Sequence, residues 1–350
     1  MAFVSHVGTA LPPHTLEQGA VAEAVARTLR LNEGRAGAMR ALFEHTGVRE
    51  RHSALPIELV GEHRSLTDSM ALYRRHALEL AIDAARSCLD QSGITAAEID
   101  LIVTSSCTGL LLPSLGALLV EPLGLRRDVR RLPITELGCA GGASALAQAD
   151  SHLRAFPGTR ALVIAVELPS LTFQTEDASP ANLVASALFG DGAAAVLLTS
   201  DAASGPIEIV ATHTEIFPES IADMGFDLRD SGLHVVLSKD VPSIVAEHTP
   251  RVVRRFLGGH GLAPKDLAFV VLHPGGRKVL EALESGLELE RRQTAVSWDV
   301  LRDYGNQSSA AVLFVLGETL ARGVPPGYGL LAAFGPGIAI ELSLLRSQPC

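Results

Sequence analysis

The chain has 350 residues, 47% hydrophobic and 19% charged, a composition that excludes a disordered chain and provides for two domain-sized units or one large one. Its formal net charge of -10, from 29 basic and 39 acidic side chains, leaves no broad cationic field and argues against nucleic acid or an anionic membrane as the main partner. The 4 cysteines (Cys88, Cys107, Cys139, Cys350) show no C-x-x-C spacing, so neither a disulfide framework nor a zinc site is supported, and a reducing cytoplasm is the simplest compartment.

In chain order, MAFVSHVGTALPP lacks a basic n-region and a sustained apolar run and reads as a strand and turn, not a signal peptide. His45 and His52 fall in a charged, solvated segment, MRALFEHTGVRERH, with no metal-ligand spacing. A helical pattern covers about Ala77–Gln91. From Gly93, GITAAEIDLIVTS gives a helix stop, a short acidic turn and a buried strand. The stretch from Leu101 to Val120 is uncharged and long enough to span a bilayer, yet Gly109, Pro113, Gly116 and several Ser/Thr residues break it, so no membrane span is expected.

Cys139 lies in ITELGCAGGASAL, where a strand passes through Gly138 into a helix of small residues. A thiolate there is stabilised by the helix dipole and unpaired N–H groups, which lowers its pKa; a buried structural cysteine is the bland alternative. Cys107, in TSSCTG, is the rival nucleophile but lacks the small-residue helix start and reads as a pocket-lining residue; Cys88 and Cys350 read as structural or incidental. GCAGGA lacks the GxGxxG spacing, which argues against dinucleotide binding, and ALFGDGAAAVLL reads as a turn between strands with Asp191 in a structural role.

A second helical pattern at about Ser243–Leu257 precedes GLAPKDLAFVVLH, where His273 ends a buried strand before Pro-Gly-Gly. Carboxyl ends of parallel strands gather ligand and catalytic groups, although a lone histidine is as readily structural. Asn306, in RDYGNQSSAAVLFVL, reads either as an N-cap or as a neutral donor that stabilises an enolate or oxyanion with His273. FGPG at Phe334–Gly337 is a rigid loop after a buried strand.

These segments form an internal repeat. Gly93 matches Gly261 and Leu162 matches Leu330, each 168 positions apart, and Cys139 pairs with Asn306 at 167. Two copies of an α/β unit follow, with mostly parallel sheets sandwiching a shared helical layer. Cys, His and Asn together permit nucleophilic acyl transfer.

LGCAGGASAL, LHPGG, YGNQSSAAVLF and AAFGPGIAIELSLLRS, in that order, resemble the motifs of the type III polyketide synthases, the chalcone synthase-like branch of the thiolase superfamily. The resemblance implies an α/β, five-layer αβαβα fold from two duplicated halves, 1–204 carrying the nucleophile and 205–350 carrying His and Asn. It implies that Cys139 carries the starter and growing chain, that His273 and Asn306 promote malonyl-CoA decarboxylation, and that the Cys139 N–H forms an oxyanion hole. Phe173 corresponds to a gatekeeper between CoA tunnel and cavity. Thr108, Phe226, Val235 and Ser308 fall where the family shapes the cavity, with Cys107, Gly275, Gly276, Phe334 and Pro336 beside it, and Leu112 matches the residue contributed across a homodimer interface. Plant members carry a small glycine near Phe226 and a phenylalanine near Val235, so a plant-type starter pocket is not expected. Arg40, Arg49, Arg51, Arg277 and Lys278 are the basic candidates for anchoring CoA.

The resemblance thus implies a cytoplasmic homodimer that extends an acyl-CoA starter with malonyl-CoA, with no cofactor beyond these thioesters. The segments SLTFQTEDASPANLVASALFGDGAAAVLL and MGFDLRDSGL favour bacterial members making alkylpyrones or alkylresorcinols from fatty acyl-CoA; CTGLLLPSL also resembles tetrahydroxynaphthalene synthases, which use malonyl-CoA alone. The rivals are ketoacyl carrier-protein synthase III, which generally has Gln-Ala-Asn after its histidine, a cysteine hydrolase, disfavoured because the sole Trp298 is remote from Cys139, and a noncatalytic acyl-binding protein.

Overall fold

Apolar and β-branched runs form nine strands that hydrogen-bond into one sheet in the computed structural model, which describes residues 1–347; Cys350 lies outside the described residues. From one edge the order is Leu267–Leu272, Gly327–Gly335, Ala339–Ser347, Ile207–Ile216, Ala2–Ala10, Gly192–Thr199, Arg160–Glu167, Leu101–Ser105 and Arg130–Ile134. Outward from its middle the sheet repeats itself: on each side two antiparallel pairings precede a parallel one. The halves join through a short antiparallel contact, Ala2 to Ile209, Phe3 to Glu208 and Val4 to Ile207.

The expectation of two mostly parallel sheets is therefore corrected. Parallel pairing is confined to Leu101–Ser105 with its two neighbours and to Leu267–Leu272 with Gly327–Gly335. In the second half the chain turns straight back through Pro336 to Ile338, and a tight turn can only join antiparallel strands.

The layers are those of a thiolase-like αβαβα fold. Helices Gly141–Ala155 and Ala311–Ala321 occupy the middle, where Ala143, Leu146, Val312 and Leu313 share one apolar cluster with strands of both halves. Glycine at 142 is required because a Cβ there would collide with the Ser309 carbonyl of the opposing half. Helix Leu66–Ser92 covers the outer face of the first half through Ala77, Ala81 and Ala84, and helices Val241–Gly258 and Arg277–Leu287 cover the second through Val252, Leu257 and Leu283. The segment from Leu101 forms a strand, a loop and the helical turn Leu115–Leu118, and among the described residues no helix is long and apolar enough to cross a membrane.

The repeat is visible in the backbone. Gly93 and Gly261 both adopt left-handed φ, at 68° and 73°, and in each following turn an acidic side chain accepts a backbone N–H, Glu98 from Thr95 and Asp266 from Ala263. Thr104 pairs with Ile164 and Leu272 with Ala332, so the 168-residue offset holds across the strands. At the central helix starts it does not. Gly138, at φ 47°, matches Ser308, at φ 48°, and each opens a 3₁₀ turn before its helix. Cys139 is thus the counterpart of Ser309, and the expected match with Asn306 is corrected. Asn306 lies ahead of the turn because its backbone is drawn into a strand-like bridge with Phe189.

Candidate active site

Cys139 sits in the turn Gly138–Ala140 at the start of a central helix. Its thiol lies 3.4 Å from the Ser308 hydroxyl, and the Cys107 sulfur lies 3.3 Å from the same oxygen, so one hydroxyl from the second half stands between two sulfurs of the first. Burial pushes the Cys139 thiol up to about 11; hydrogen bonding with Ser308 and Asn306 restrains the rise, and the charge of Glu167 adds to it. The expected pKa depression is corrected here, because removal from water outweighs the helix dipole. Burial, reinforced by Glu167 and Cys139, also raises Cys107 well above its ordinary value.

His273 follows the strand Leu267–Leu272, its N–H donating to the Ala332 carbonyl at 2.8 Å. The side chain is buried, with no hydrogen-bond partner at Nδ1, and burial lowers its pKa to about 3. The imidazole is neutral and keeps a donor. Asn306 accepts the Ser308 N–H at 2.8 Å through its side-chain oxygen, a cap-like bond, and its Nδ2 lies 3.5 Å from the Gly275 carbonyl. Gly275 links the two, since its own N–H donates to the His273 carbonyl at 2.9 Å.

A cavity of about 50 Å³ opens at Cys139, bounded by Cys107, Thr108, Phe226, Val235, Ser308 and Pro336, all expected to line it. Gly276 instead caps helix Arg277–Leu287 and packs near Leu188. Phe173 borders a neighbouring cavity of about 60 Å³, and Pro169, Thr172, Phe189 and Val235 border both. Phe334 is buried in the second-half core, its ring 6.5 Å from that of Phe217. Leu112 is 98% exposed, outside both cavities.

Several residues escaped sequence reasoning. Glu167, fully buried, accepts from the Thr108 hydroxyl at 2.7 Å, from the Cys107 and Thr108 N–H groups at 3.1 and 3.2 Å, and from Ser309. The only signal was an acid ending an otherwise apolar strand. Hairpin strands Met224–Arg229 and Gly232–Leu237 contribute Met224 and Leu237 to the cavity wall. Asp191 is buried and accepts from the Ala54 and Ser170 N–H groups, as a structural residue should, although a helix, Pro180–Leu188, precedes it instead of a strand. His52 is half-buried and borders the second cavity, unlike the solvated side chain expected.

Of the basic candidates, Arg40 pairs with Glu23 and Glu33, Arg49 with Glu50 and Asp303, and Arg277 with Glu281. Arg51 is buried and bonded to backbone carbonyls, which removes it as a CoA anchor. Lys278 has no ion pair among the described residues and stands in the first turn after His273-Pro-Gly-Gly.

Residues 1–202 match the sequence profile of chalcone and stilbene synthases, N-terminal domain, and residues 208–349 that of the C-terminal domain. The chain belongs to this family. It is 42% identical to 1,3,6,8-tetrahydroxynaphthalene synthase from Streptomyces peucetius subsp. caesius, over 98% of this chain and 92% of that one. It is 30% identical to phloroglucinol synthase from Pseudomonas fluorescens, over 95% of each. Its fold matches the crystal structure of 1,3,6,8-tetrahydroxynaphthalene synthase from Streptomyces coelicolor A3(2), a bacterial type III polyketide synthase, with a TM-score of 0.95, 32% identity and coverage of 99% and 100% of the two chains. The chain is a type III polyketide synthase, hence an acyltransferase, and the hydrolase, acyl-binding and carrier-protein synthase readings fall away.

Proposed function

We propose that this synthase holds an acyl group on Cys139 and extends it with malonyl-CoA, with His273 and Asn306 as the neutral donors that drive decarboxylation. The observation that carries this reading is the meeting of Cys139 with Ser308 and Asn306, where Cys139 and Ser308 line an apolar cavity and Asn306 stands behind Ser308, with a neutral His273 on the strand end beside Gly275. The resting thiol is protonated at neutral pH. Loading requires its proton to leave as Sγ attacks the starter thioester; the C–S bond to CoA breaks and the departing CoA sulfur takes up that proton, leaving as the thiol. In the extension step, N–H donors from His273 and Asn306 polarise the malonyl thioester carbonyl. The C–C bond to the carboxylate breaks, CO₂ departs, and its electron pair forms an enolate stabilised by those donors. An apolar cavity disfavours the carboxylate and favours neutral CO₂. The enolate carbon then attacks the acyl carbonyl on Cys139, which leaves as thiolate, and the lengthened chain returns from CoA to Sγ.

For the starter, the 42% identity to a tetrahydroxynaphthalene synthase favours malonyl-CoA as both starter and extender, cyclised to a naphthol. This reverses the order of the two sequence expectations, and the alkylpyrone from fatty acyl-CoA becomes the second reading. Lys278 is the proposed CoA contact. A homodimer is proposed from the exposed edge strand Arg130–Ile134 and the nearby exposed Leu110 and Leu112; a cytoplasmic location is proposed from the free Cys88, Cys107 and Cys139 thiols. Radiolabelled malonyl-CoA, supplied with and without long-chain acyl-CoA, tests the choice: naphthol from malonyl-CoA alone is expected, and product only when acyl-CoA is added selects the pyrone.

A further inference from the structure

Helix Pro180–Leu188 ends in the interior, where its last carbonyls cannot turn to water. All four orphan acceptors are satisfied from elsewhere in the chain. Arg51 donates from one nitrogen to the carbonyls of Ser186 and Phe189, at 2.7 and 2.9 Å, and from the other to that of Ala187 at 2.9 Å. The remaining carbonyl, of Leu188, accepts the N–H of Asn306 at 2.8 Å, and the Asn306 carbonyl accepts the N–H of Gly190 at 3.1 Å. Gln18, itself buried, accepts from Arg51 and donates to the Ala187 and Phe43 carbonyls and to Thr46. Little slack separates these segments: a Cβ on Gly190 would strike the Tyr304 carbonyl and lie 3.0 Å from Arg51 Cβ.

We infer that Arg51, seated by Gln18, is a positioning residue for Asn306. It fixes the helix end whose next backbone groups clamp Asn306 from both sides, and so sets where the Asn306 carboxamide stands relative to Cys139 and Gly275. A cation at a helix C-terminus is favourable in itself, but only the planar fork of arginine reaches carbonyls on both sides of Leu188. The inference rests on the proposed role of Asn306 in decarboxylation.

The test is a double-mutant cycle on malonyl-CoA decarboxylation. Arg51→Lys keeps the charge and loses the fork; its kcat is expected to fall about tenfold to a hundredfold with KM within about twofold of wild type, because a small misplacement of a positioned group acts on the transition state. A circular dichroism spectrum and thermal unfolding midpoint like those of wild type show that the variant is folded. In an Asn306→Ala background, Arg51→Lys is expected to cost nothing further, since the coupling runs through the missing side chain. An equal loss in both backgrounds, or none in the first, overturns the inference. Should Arg51→Lys fail to fold, Gln18→Met leaves the arginine–carbonyl bonds in place and is expected to show the same non-additive loss at smaller size. If Asn306→Ala alone leaves decarboxylation intact, the functional reading fails, and crystal structures of the Arg51→Lys or Gln18→Met protein decide the rest. A displaced Asn306 supports the positioning role; an unmoved one overturns it.

Discussion

The turns Gly138–Ala140 and Ser308–Ala310 share one backbone path and carry different chemistry. In the first half, glycine takes the left-handed position, and the site it leaves open is filled from outside: a Cβ on Gly138 would lie 2.6 Å from Pro336 Cδ. In the second half the same φ is adopted by Ser308, at a cost of about 1–2 kcal/mol for an L-residue, and its hydroxyl is thereby placed between two thiols. The residue after each is Cys139 in one half and Ser309 in the other, the latter turned to the buried Glu167. Duplication supplies one scaffold twice, and side chains alone decide which copy reacts.

The largest expected effect separates the paired residues. Cys139→Ala is expected to leave less than about a thousandth of wild-type condensation while malonyl-CoA decarboxylation continues, because the nucleophile and the enolate donors act in different steps. His273→Ala and Asn306→Ala should show the converse, loss of decarboxylation. Retained naphthol or pyrone formation by Cys139→Ala ends the assignment.

Next is Gly138→Ser, which gives the first turn the residue of the second. Here the side chain meets Pro336, so a loss of about 1–3 kcal/mol in denaturant unfolding is expected, together with a fall in turnover. A variant of wild-type stability would show that the FGPG loop yields, and that the two turns are interchangeable.

His273 sharpens the contrast through pH. Its folded pKa, about 3, lies below the ordinary 6.5, so its neutral form contributes stability that is fully present above pH 6.5 and is lost as pH falls towards 3. Thermal unfolding of His273→Gln should therefore vary less over that window than that of the wild-type protein. Equal slopes would mean that the imidazole is not buried as neutral.

The smallest effect belongs to Ser308→Gly, where relieved backbone strain offsets lost hydroxyl contacts and net stability should change by less than about 1 kcal/mol. Alkylation of Cys139, which in the wild-type protein should climb with pH towards about 11, should shift to still higher pH once the hydroxyl is gone. An unshifted profile would remove Ser308 as a partner of the thiol.

Residues at element ends were legible in the sequence, because a strand that stops at His273 or a small-residue helix that starts after Cys139 is a local pattern. The repeat carried the layered architecture, and its strand offset survived in the register. The pKa of Cys139 was not legible: the helix dipole can be read locally, whereas burial depends on the whole fold. Nor was the job of Arg51, whose partners are carbonyls more than a hundred residues away with no side-chain signature. The mixed sheet was missed because an apolar strand looks the same whichever way its neighbour runs, and Asn306 was misaligned because the half-repeats differ in length just before the turn.

Among the strands, Ala2–Ala10 leaves the ribosome first, yet its two sheet partners are Gly192–Thr199 and Ile207–Ile216. At about 5–20 residues per second, this apolar segment waits on the order of ten seconds or more before either edge is available. The first half has all five of its strands only once Gly192–Thr199 has emerged, and Ala2–Ala10, which then pairs with it, is also the splice to the second half. Chaperone demand and exposure to misassembly should be greatest in that interval, while Ala2–Ala10 waits first for the partner in its own half and then for the one in the other.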